Sequence, residues 1–405
     1  MDVRIDHRSY QDRGIELEVQ PKLGKGSHAR KNQGEIVDRW QEMARVKAKN
    51  KALIFHKPEV VLNYLTRQQS VFTRRDIARI VNRYVEGAEE FARVMQAIEA
   101  SHQLVRIADD QLGKDPKFTT QAMIELELSL IKTAKVLNHQ GGFAVLPDRQ
   151  AVWIERMNQQ LKQQGKSSLS ADQVRSLDHV TAAGQLKGMI GYAGTGKSTS
   201  LTVARQIWQE AGYRVVGAAP TGKAAEALED TGIASKTLHK WEHEWQRERE
   251  LLGSKDILVV DEAGMMDARR LQGLLQQSQQ RGFKVVLVGD PEQLSPIEAG
   301  CGLRTVMAQI GFVTLSTVQR QQEAWQRQAT ELLATRQTEE ALNLYQQHGC
   351  IYWGANAQDK LMADYAAHMQ TRLREEPVNA VILAYTNQAV QQLNHRARTV
   401  ARDSG

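Results

Sequence analysis

Gly191-Tyr-Ala-Gly-Thr-Gly-Lys197-Ser198 follows the apolar run Leu186-Lys-Gly-Met-Ile190 and leads into Thr199-Ser-Leu-Thr-Val-Ala-Arg-Gln-Ile-Trp208. The first flank reads as a short buried strand, and the second carries apolar residues at helical spacing. Strand, glycine-rich loop and helix form the context in which G-x-x-x-x-G-K-[ST] becomes a phosphate cradle. Glycines let backbone N–H groups converge on phosphate oxygens with no Cβ in the way. The helix N-terminus adds partial positive charge. ATP is therefore expected against Gly191, Gly194, Thr195, Gly196, Lys197, Ser198 and Thr199, with Lys197 on the β- and γ-phosphates and Ser198 on Mg²⁺. The alternative is a glycine-rich turn that binds nothing.

Downstream of this loop the pattern alternates. Strands are predicted at 186–190, 214–219, 257–261 and 284–289, with helices at 198–211, 222–229 and 267–281. Val313–Leu315 and Val381–Ala384 read as further strands. Alternating β and α with apolar strands predicts an α/β fold, a parallel sheet covered on both faces. Two strand ends carry chemistry. Ile257-Leu-Val-Val-Asp261-Glu262 ends in adjacent carboxylates, one placed to support Mg²⁺ and one to orient or deprotonate water. Val285-Val-Leu-Val-Gly289-Asp290-Pro-Glu-Gln293 ends in a turn whose Gln293 amide can sense a γ-phosphate. Taken singly, these are solvated acids at a strand end and a surface glutamine; following a P-loop in this order, they read as a hydrolytic site.

Upstream, residues 1–34 are broken by Gly14, Pro21, Gly24, Gly26 and Gly34 and read as a linker or tail. Residues 35–140 carry mostly helical patterns: a charged helix from Glu35 to about Asn50, then one opened by Thr73, then one over Glu89–Ala100. Leu104–Ile107 and Lys117–Thr120 follow as short strands, and Thr119–Asn138 as a long helix. Helix, helix and two strands is the order of a winged helix, a fold that often touches DNA. A small helical domain that only packs on its neighbour is the equal alternative. Gly141 and Gly142 mark a boundary, a helix is predicted from Asp148 to Gln164, and Ser170 is a good N-cap for another.

The whole chain sets outer bounds. At 405 residues it is long enough for two to three domains, taking roughly 150 residues for each. No apolar run is long enough to span a bilayer, so no membrane insertion is expected. Cys301 and Cys350 are the only cysteines, which suits a reducing cytoplasm. A formal charge of +6 permits a nucleic-acid partner without demanding one.

The ordered set of motifs over about 169–320 resembles the superfamily 1 helicases, in particular the RecD-like branch that moves 5′ to 3′ on DNA, and so implies a RecA-like lobe over 141–330. By that resemblance Leu169–Leu177 is a Q motif in which Gln173 reads adenine. Ala218-Ala-Pro220-Thr221-Gly-Lys223 and Ser235-Lys-Thr237-Leu-His239-Lys-Trp241 resemble the motifs that line the single-strand channel. Threonines and a lysine suit phosphates, and His239 and Trp241 offer flat surfaces for bases. Taken alone, Lys223 reads as a solvated lysine and Trp241 as a core indole. Leu315-Ser-Thr-Val-Gln-Arg320 resembles a later motif, which makes Arg320 a γ-phosphate ligand, with a surface arginine as the competing view.

A narrower resemblance covers almost the whole chain. Arg4-Ile-Asp-His7-Arg-Ser-Tyr10, Phe72-Thr-Arg-Arg-Asp76, Phe118-Thr-Thr120, Gly264-Met-Met, Ile297-Glu-Ala-Gly300 and Ala324-Trp-Gln-Arg327 are similar to segments of the Ti-type conjugative relaxases, the TraA-like MobA/MobL group. The clustered histidines of a nicking domain are missing, and Ala380-Val-Ile-Leu-Ala-Tyr385 resembles the opening of a second RecA-like lobe within 331–405. The expectation is an interior piece of a relaxase–helicase that works on single-stranded DNA in plasmid transfer, with other conjugation proteins as candidate partners. A RecD-like repair helicase and a non-catalytic ATP- and DNA-binding module are the alternatives.

Overall fold

The computed structural model describes residues 15–18, 38–108, 115–165, 167–191, 195–290, 302–316, 323–372 and 381–403. The chain divides into two compact units, one running from residue 7 to 320 and the other from 321 onward.

The first unit begins with a small α/β module. Helices α1 (Asp38–His56) and α2 (Val60–Gln68) lead to the two-residue strand β1 (Phe72–Thr73), then to α3 (Arg74–Tyr84) and α4 (Ala88–Glu99). Strands β2 (Leu104–Ala108) and β3 (Lys117–Thr120) close an antiparallel sheet of order β1-β3-β2. Helix, strand, helix, helix and two strands is the element order of a winged helix. Thr73 starts α3 as the sequence predicts: its hydroxyl accepts from Asp76 N–H while the Asp76 carboxylate accepts from Thr73 N–H at 2.9 Å. Ile77, Ile80 and Val81 then point into one core with Val61, Leu62, Leu65 and Ile98. Ile15 and Leu17, in the segment read as a linker, are buried in that same core, and Asn50 brackets Glu18 with two backbone hydrogen bonds of 2.8 and 2.9 Å.

The sheet that follows is parallel and six-stranded. Its strands are β4 (Leu186–Gly191), β5 (Arg214–Ala219), β6 (Ala234–Thr237), β7 (Asp256–Val260), β8 (Lys284–Gly289) and β9 (Val313–Leu315), in the order β6-β5-β7-β8-β4-β9. Alternate residues go to opposite faces. Ile257 and Val259 pack with helices α6 (Pro147–Gln163), α7 (Ala171–Thr181) and α8 (Lys197–Glu210). Leu258 and Val260 pack on the other face, with α10 (Leu238–Gln246), α11 (Ala268–Arg281) and α12 (Gly302–Ile310). Helix α9 (Gly222–Glu229) bridges β5 and β6 in sequence. Burial on both faces is why Ile257–Val260 and Val285–Val288 read as unbroken apolar runs.

Helix α5 (Gln121–His139) follows the small module in sequence but packs on the parallel sheet's side. Leu130, Ala134 and Leu137 belong to the core under α11 and α12, and Gln272 Nε2 donates to Ser129 Oγ at 2.9 Å.

The second unit holds α13 (Ala324–Ala334), α14 (Thr338–Gln347), α15 (Ala357–Arg372) and α16 (Asn387–Asp403). Trp325 stacks on His348 with ring centroids 4.0 Å apart and meets Tyr345 edge-on. The strand expected at Val381–Ala384 does not form: these residues have no regular structure, and Leu383 is 83% exposed. A strand exists only by pairing, and no described strand pairs with this run.

Candidate active site

All the strands of the parallel sheet point the same way, so the residues just past β4, β5, β7 and β8 gather along one edge. Strand β8 lies between β4 and β7, and this separates the phosphate loop from the paired carboxylates by the width of a strand. Crevices outside the carboxyl ends of such strands are where α/β sheets bind ligands.

The loop after β4 turns into α8 through Gly196, whose φ of 83° lies in the left-handed region that favours glycine. Gly191 is needed for a different reason. A Cβ there would sit 2.6 Å from Cγ and 2.9 Å from Cδ of Lys197, so the lysine stem passes over bare backbone. Thr195 is buried, Lys197 and Thr199 are half-buried, and Ser198 is exposed in the first turn of α8.

Across the edge, Asp261 follows β7, and its N–H donates to Ala218 O at 2.9 Å, extending the ladder by one residue. Asp261 Oδ1 accepts from Glu262 N–H at 2.9 Å, which leaves the second oxygen of that carboxylate for other partners. Glu262 adopts φ 51° and ψ 37°, a left-handed conformation that is unfavourable for a residue with a Cβ. This turn carries its carboxylate towards α8, where Oε1 lies 3.8 Å from Lys197 Nζ. Gly264 permits the turn to close, since a Cβ there would meet Asp290 O at 2.8 Å.

The donor set fits a nucleotide with Mg²⁺: a backbone cradle kept open at Gly191, a lysine, an exposed hydroxyl at Ser198 and an Asp261 oxygen with no hydrogen-bond partner among the described residues. Gly194, Gln293 and Arg320 lie outside the described residues.

Gln173 is placed differently from an adenine reader. It is 2% exposed and sits at the third position of a capping box. Its Oε1 accepts from Ser170 N–H at 2.9 Å, and its Nε2 donates to Gly196 O at 3.4 Å. Both amide atoms are engaged within the protein, tying α7 to the phosphate loop. Asp172, which sequence reasoning missed, ties the same helix to the end of β9: Ser316 donates to its Oδ2 through both N–H and Oγ, at 3.2 and 2.7 Å. The Ser170 N-cap was visible in the sequence, but the contact of Gln173 with Gly196 was not.

The residues expected to meet DNA divide into two groups. Ala219 and Thr237 are register partners on β5 and β6, so Pro220, Thr221 and Thr237 stand side by side beyond the sheet edge. Thr221 and Thr237 cap α9 and α10, each accepting a backbone N–H at 3.2 Å. Lys223 and His239 are exposed nearby on the first turns of those helices. Trp241 departs from the expectation of a base-stacking surface. It is 3% exposed, its Nε1 donates to Gly217 O at 2.8 Å, and it packs against Trp245. The indole belongs to the core because α10 turns that face onto β5.

At the opposite end of the sheet, Lys284 opens β8 fully buried, with Nζ donating to Ala182 O at 2.8 Å. Burial pushes its pKa down to about 7, and the nearby Lys187 adds to the effect. Among the described residues there is no group of three or more histidines, cysteines and carboxylates able to hold a metal. No helix among them is long and apolar enough to cross a membrane.

The AAA domain family matches residues 168–356. The conjugal transfer protein TraA of Rhizobium radiobacter is 36% identical over 414 residues, covering 98% of this chain. Over almost its whole length the chain is similar to the TraA proteins. A TraA protein of Sinorhizobium fredii, described as a probable conjugal transfer protein, is 35% identical over the same 98%. The ATP-dependent RecD2 DNA helicase of Deinococcus radiodurans is 35% identical over 161 residues, 38% of this chain and 22% of that protein. The TraA-like chain spans 36% of the length of the TraA proteins it matches.

Proposed function

We propose that the chain is the ATP-hydrolysing, DNA-translocating portion of a conjugative transfer protein. The observation that carries the reading is the pairing of Lys197 with Glu262, whose left-handed backbone commits it to the phosphate loop. Lys197 would place its charge on the terminal phosphates of ATP, and Asp261 and Ser198 would hold Mg²⁺. When bound, Mg²⁺ supplies charge neutralisation on the phosphate oxygens. Glu262 would orient the attacking water and take its proton. Gln293 is proposed as a γ-phosphate contact from its place in the turn after the Val285–Val288 run, and Arg320 on the strength of the resemblance.

DNA is the proposed partner. Pro220, Thr221, Lys223, Thr237 and His239 present two capped helix N-termini, a lysine and an imidazole along one edge, a set suited to successive phosphates. Single-strand selectivity, 5′-to-3′ movement and work alongside other conjugation proteins rest on the resemblance to TraA-like and RecD-like proteins. The winged-helix order of β1-α3-α4-β2-β3 supports a second contact with DNA, and a cytoplasmic site of action accords with the cysteine usage.

The test is the Mg-ATPase rate of the purified chain, with and without single-stranded DNA, beside Lys197→Ala. DNA-stimulated turnover that the variant lacks is expected. Turnover unchanged in Lys197→Ala overturns the site. Nucleotide binding without turnover favours a non-catalytic interaction module.

A further inference from the structure

Strand β6 forms one edge of the parallel sheet, and Lys236 is its penultimate residue. It pairs in register with Ala218, one place before the Ala219–Thr237 pair that opens the proposed DNA edge. The lysine is held twice. Its ammonium lies 5.2 Å from the centre of the Trp241 ring, and it donates to both carboxylate oxygens of Glu250. A lysine on an edge strand guards that edge against stray pairing, a task that needs no carboxylate to hold it.

The carboxylate comes from a strained loop. Glu250 lies between α10 and β7 with φ 48°, and Glu248 two residues before it has φ 55°. Both values fall in the left-handed region, which is costly for a residue with a Cβ and which also marks Glu262 in the hydrolytic site. The loop is fastened on either side of Glu250: Arg249 N–H donates to Glu244 O at 2.9 Å, and Leu252 is buried. The Lys236 hydrogen bond, with Lys240 and Arg214 behind it, holds the Glu250 carboxyl below the usual carboxylate range. Arg214 is itself engaged by Asp256 at 2.6 Å, whereas Lys240 is exposed on the first turn of α10, where its N–H donates to Thr237. Lys236 keeps 25% and Glu250 48% of its side-chain surface open, so solvent and ligands reach the pair.

An anion with two oxygens thus already sits on a basic cluster beside the proposed DNA edge, and a phosphodiester presents the same two oxygens. Resting on the DNA-translocase reading, we propose that Glu250 stands in for a DNA phosphate: it holds Lys236 in the unbound chain and gives it up to the strand. The strand's backbone then meets Lys236 and Lys240 on either side of Thr237, and the loop at Glu248 and Glu250 is free to leave its left-handed conformation. Each binding event costs the chain one ion pair. Glu250 therefore lowers affinity for DNA where Lys236 raises it.

Fluorescence anisotropy with a labelled oligothymidylate, on the intact chain at low salt, tests this. Glu250→Gln keeps the shape of the side chain and should tighten binding about three- to tenfold. Lys236→Ala should weaken binding and lower the salt slope by about one. With Lys236→Ala already in place, Glu250→Gln should no longer tighten binding, because no lysine is left to release. Glu248→Gln removes the same charge two residues away and should stay within about twofold of wild type. Equal tightening by Glu250→Gln with and without Lys236 overturns the inference in favour of general charge repulsion. Wild-type affinity in both Glu250→Gln and Lys236→Ala, with a lowered melting temperature, also overturns it and makes the pair structural; weaker binding by Lys223→Ala in that same series leaves the DNA reading standing. No DNA binding by the wild-type chain overturns both.

Discussion

Lys197 Nζ stands 3.8 Å from Glu262 Oε1, so the first residue of α8 is paired with the residue that follows Asp261 beyond β7. Both side chains are largely buried, and one of them keeps a left-handed backbone to be there. A γ-phosphate would draw the lysine away and leave the carboxylate to a water. Glu262→Gln should therefore bind ATP at least as tightly as wild type while turnover falls about 10²- to 10⁴-fold. Equilibrium binding of a fluorescent ATP analogue, measured beside steady-state hydrolysis, checks it. Wild-type turnover in the variant would remove Glu262 from the chemistry.

Gly191→Ala tests the cradle without touching a charged group. The new methyl would stand 2.6 Å from Lys197 Cγ, so the stem or the loop must shift. Nucleotide affinity should fall at least tenfold, because the lysine is displaced from a site whose value lies in positioning. Unchanged affinity would show that the loop adjusts freely.

Gln173→Ala distinguishes a loop tether from an adenine reader. With Oε1 on Ser170 N–H and Nε2 on Gly196 O, the side chain supports the phosphate loop whatever base is attached. The variant should lose about 1 kcal/mol from the capping box and weaken ATP and GTP by the same factor. A loss confined to ATP would restore the adenine-reading role.

Trp241→Phe and Lys223→Ala should behave oppositely. The tryptophan variant deletes the hydrogen bond to Gly217 O and should cost about 1 kcal/mol of stability, with single-strand affinity unchanged. The lysine variant should keep its melting temperature and lower affinity evenly across sequences, reducing the salt slope by about one. Thermal melts and salt-series titrations of both variants separate the two roles.

Lys284 gives the fold a dependence on pH. Its pKa is about 7 when folded and near 10.5 when free, so between those values the unfolded chain holds a proton that the folded chain does not. Stability contributed by this group therefore rises with pH from about 7 towards 10.5, and the full cost of burying its charge is present below about 7. Lys284→Met should flatten that rise. Urea denaturation of both proteins at pH 7 and pH 9 checks the sign. An identical change in the two proteins would show that the lysine is not the cause.

The sequence determined the parallel sheet and its site edge because its central strands β7 and β8 are buried on both faces. Uninterrupted runs such as Ile257–Val260 and Val285–Val288 leave few other structures open to them. The phosphate loop was equally legible, since its chemistry needs glycine, lysine and a hydroxyl at fixed spacing. Thr73 and Ser170 announced their helices through local hydrogen bonds within four residues. What lay beyond reach depended on contacts far apart in the chain. Trp241 taken alone reads as a core indole and by the resemblance as a base platform, and only the docking of α10 on β5 decides for the core. Gln173 meets Gly196, Asp172 meets Ser316, and α5 joins a core that its neighbours in sequence do not share. Val381–Ala384 has the composition of a strand but no pairing partner among the described strands. Composition and local spacing fix which elements are possible; which face each one buries, and which atoms then meet, is decided by packing.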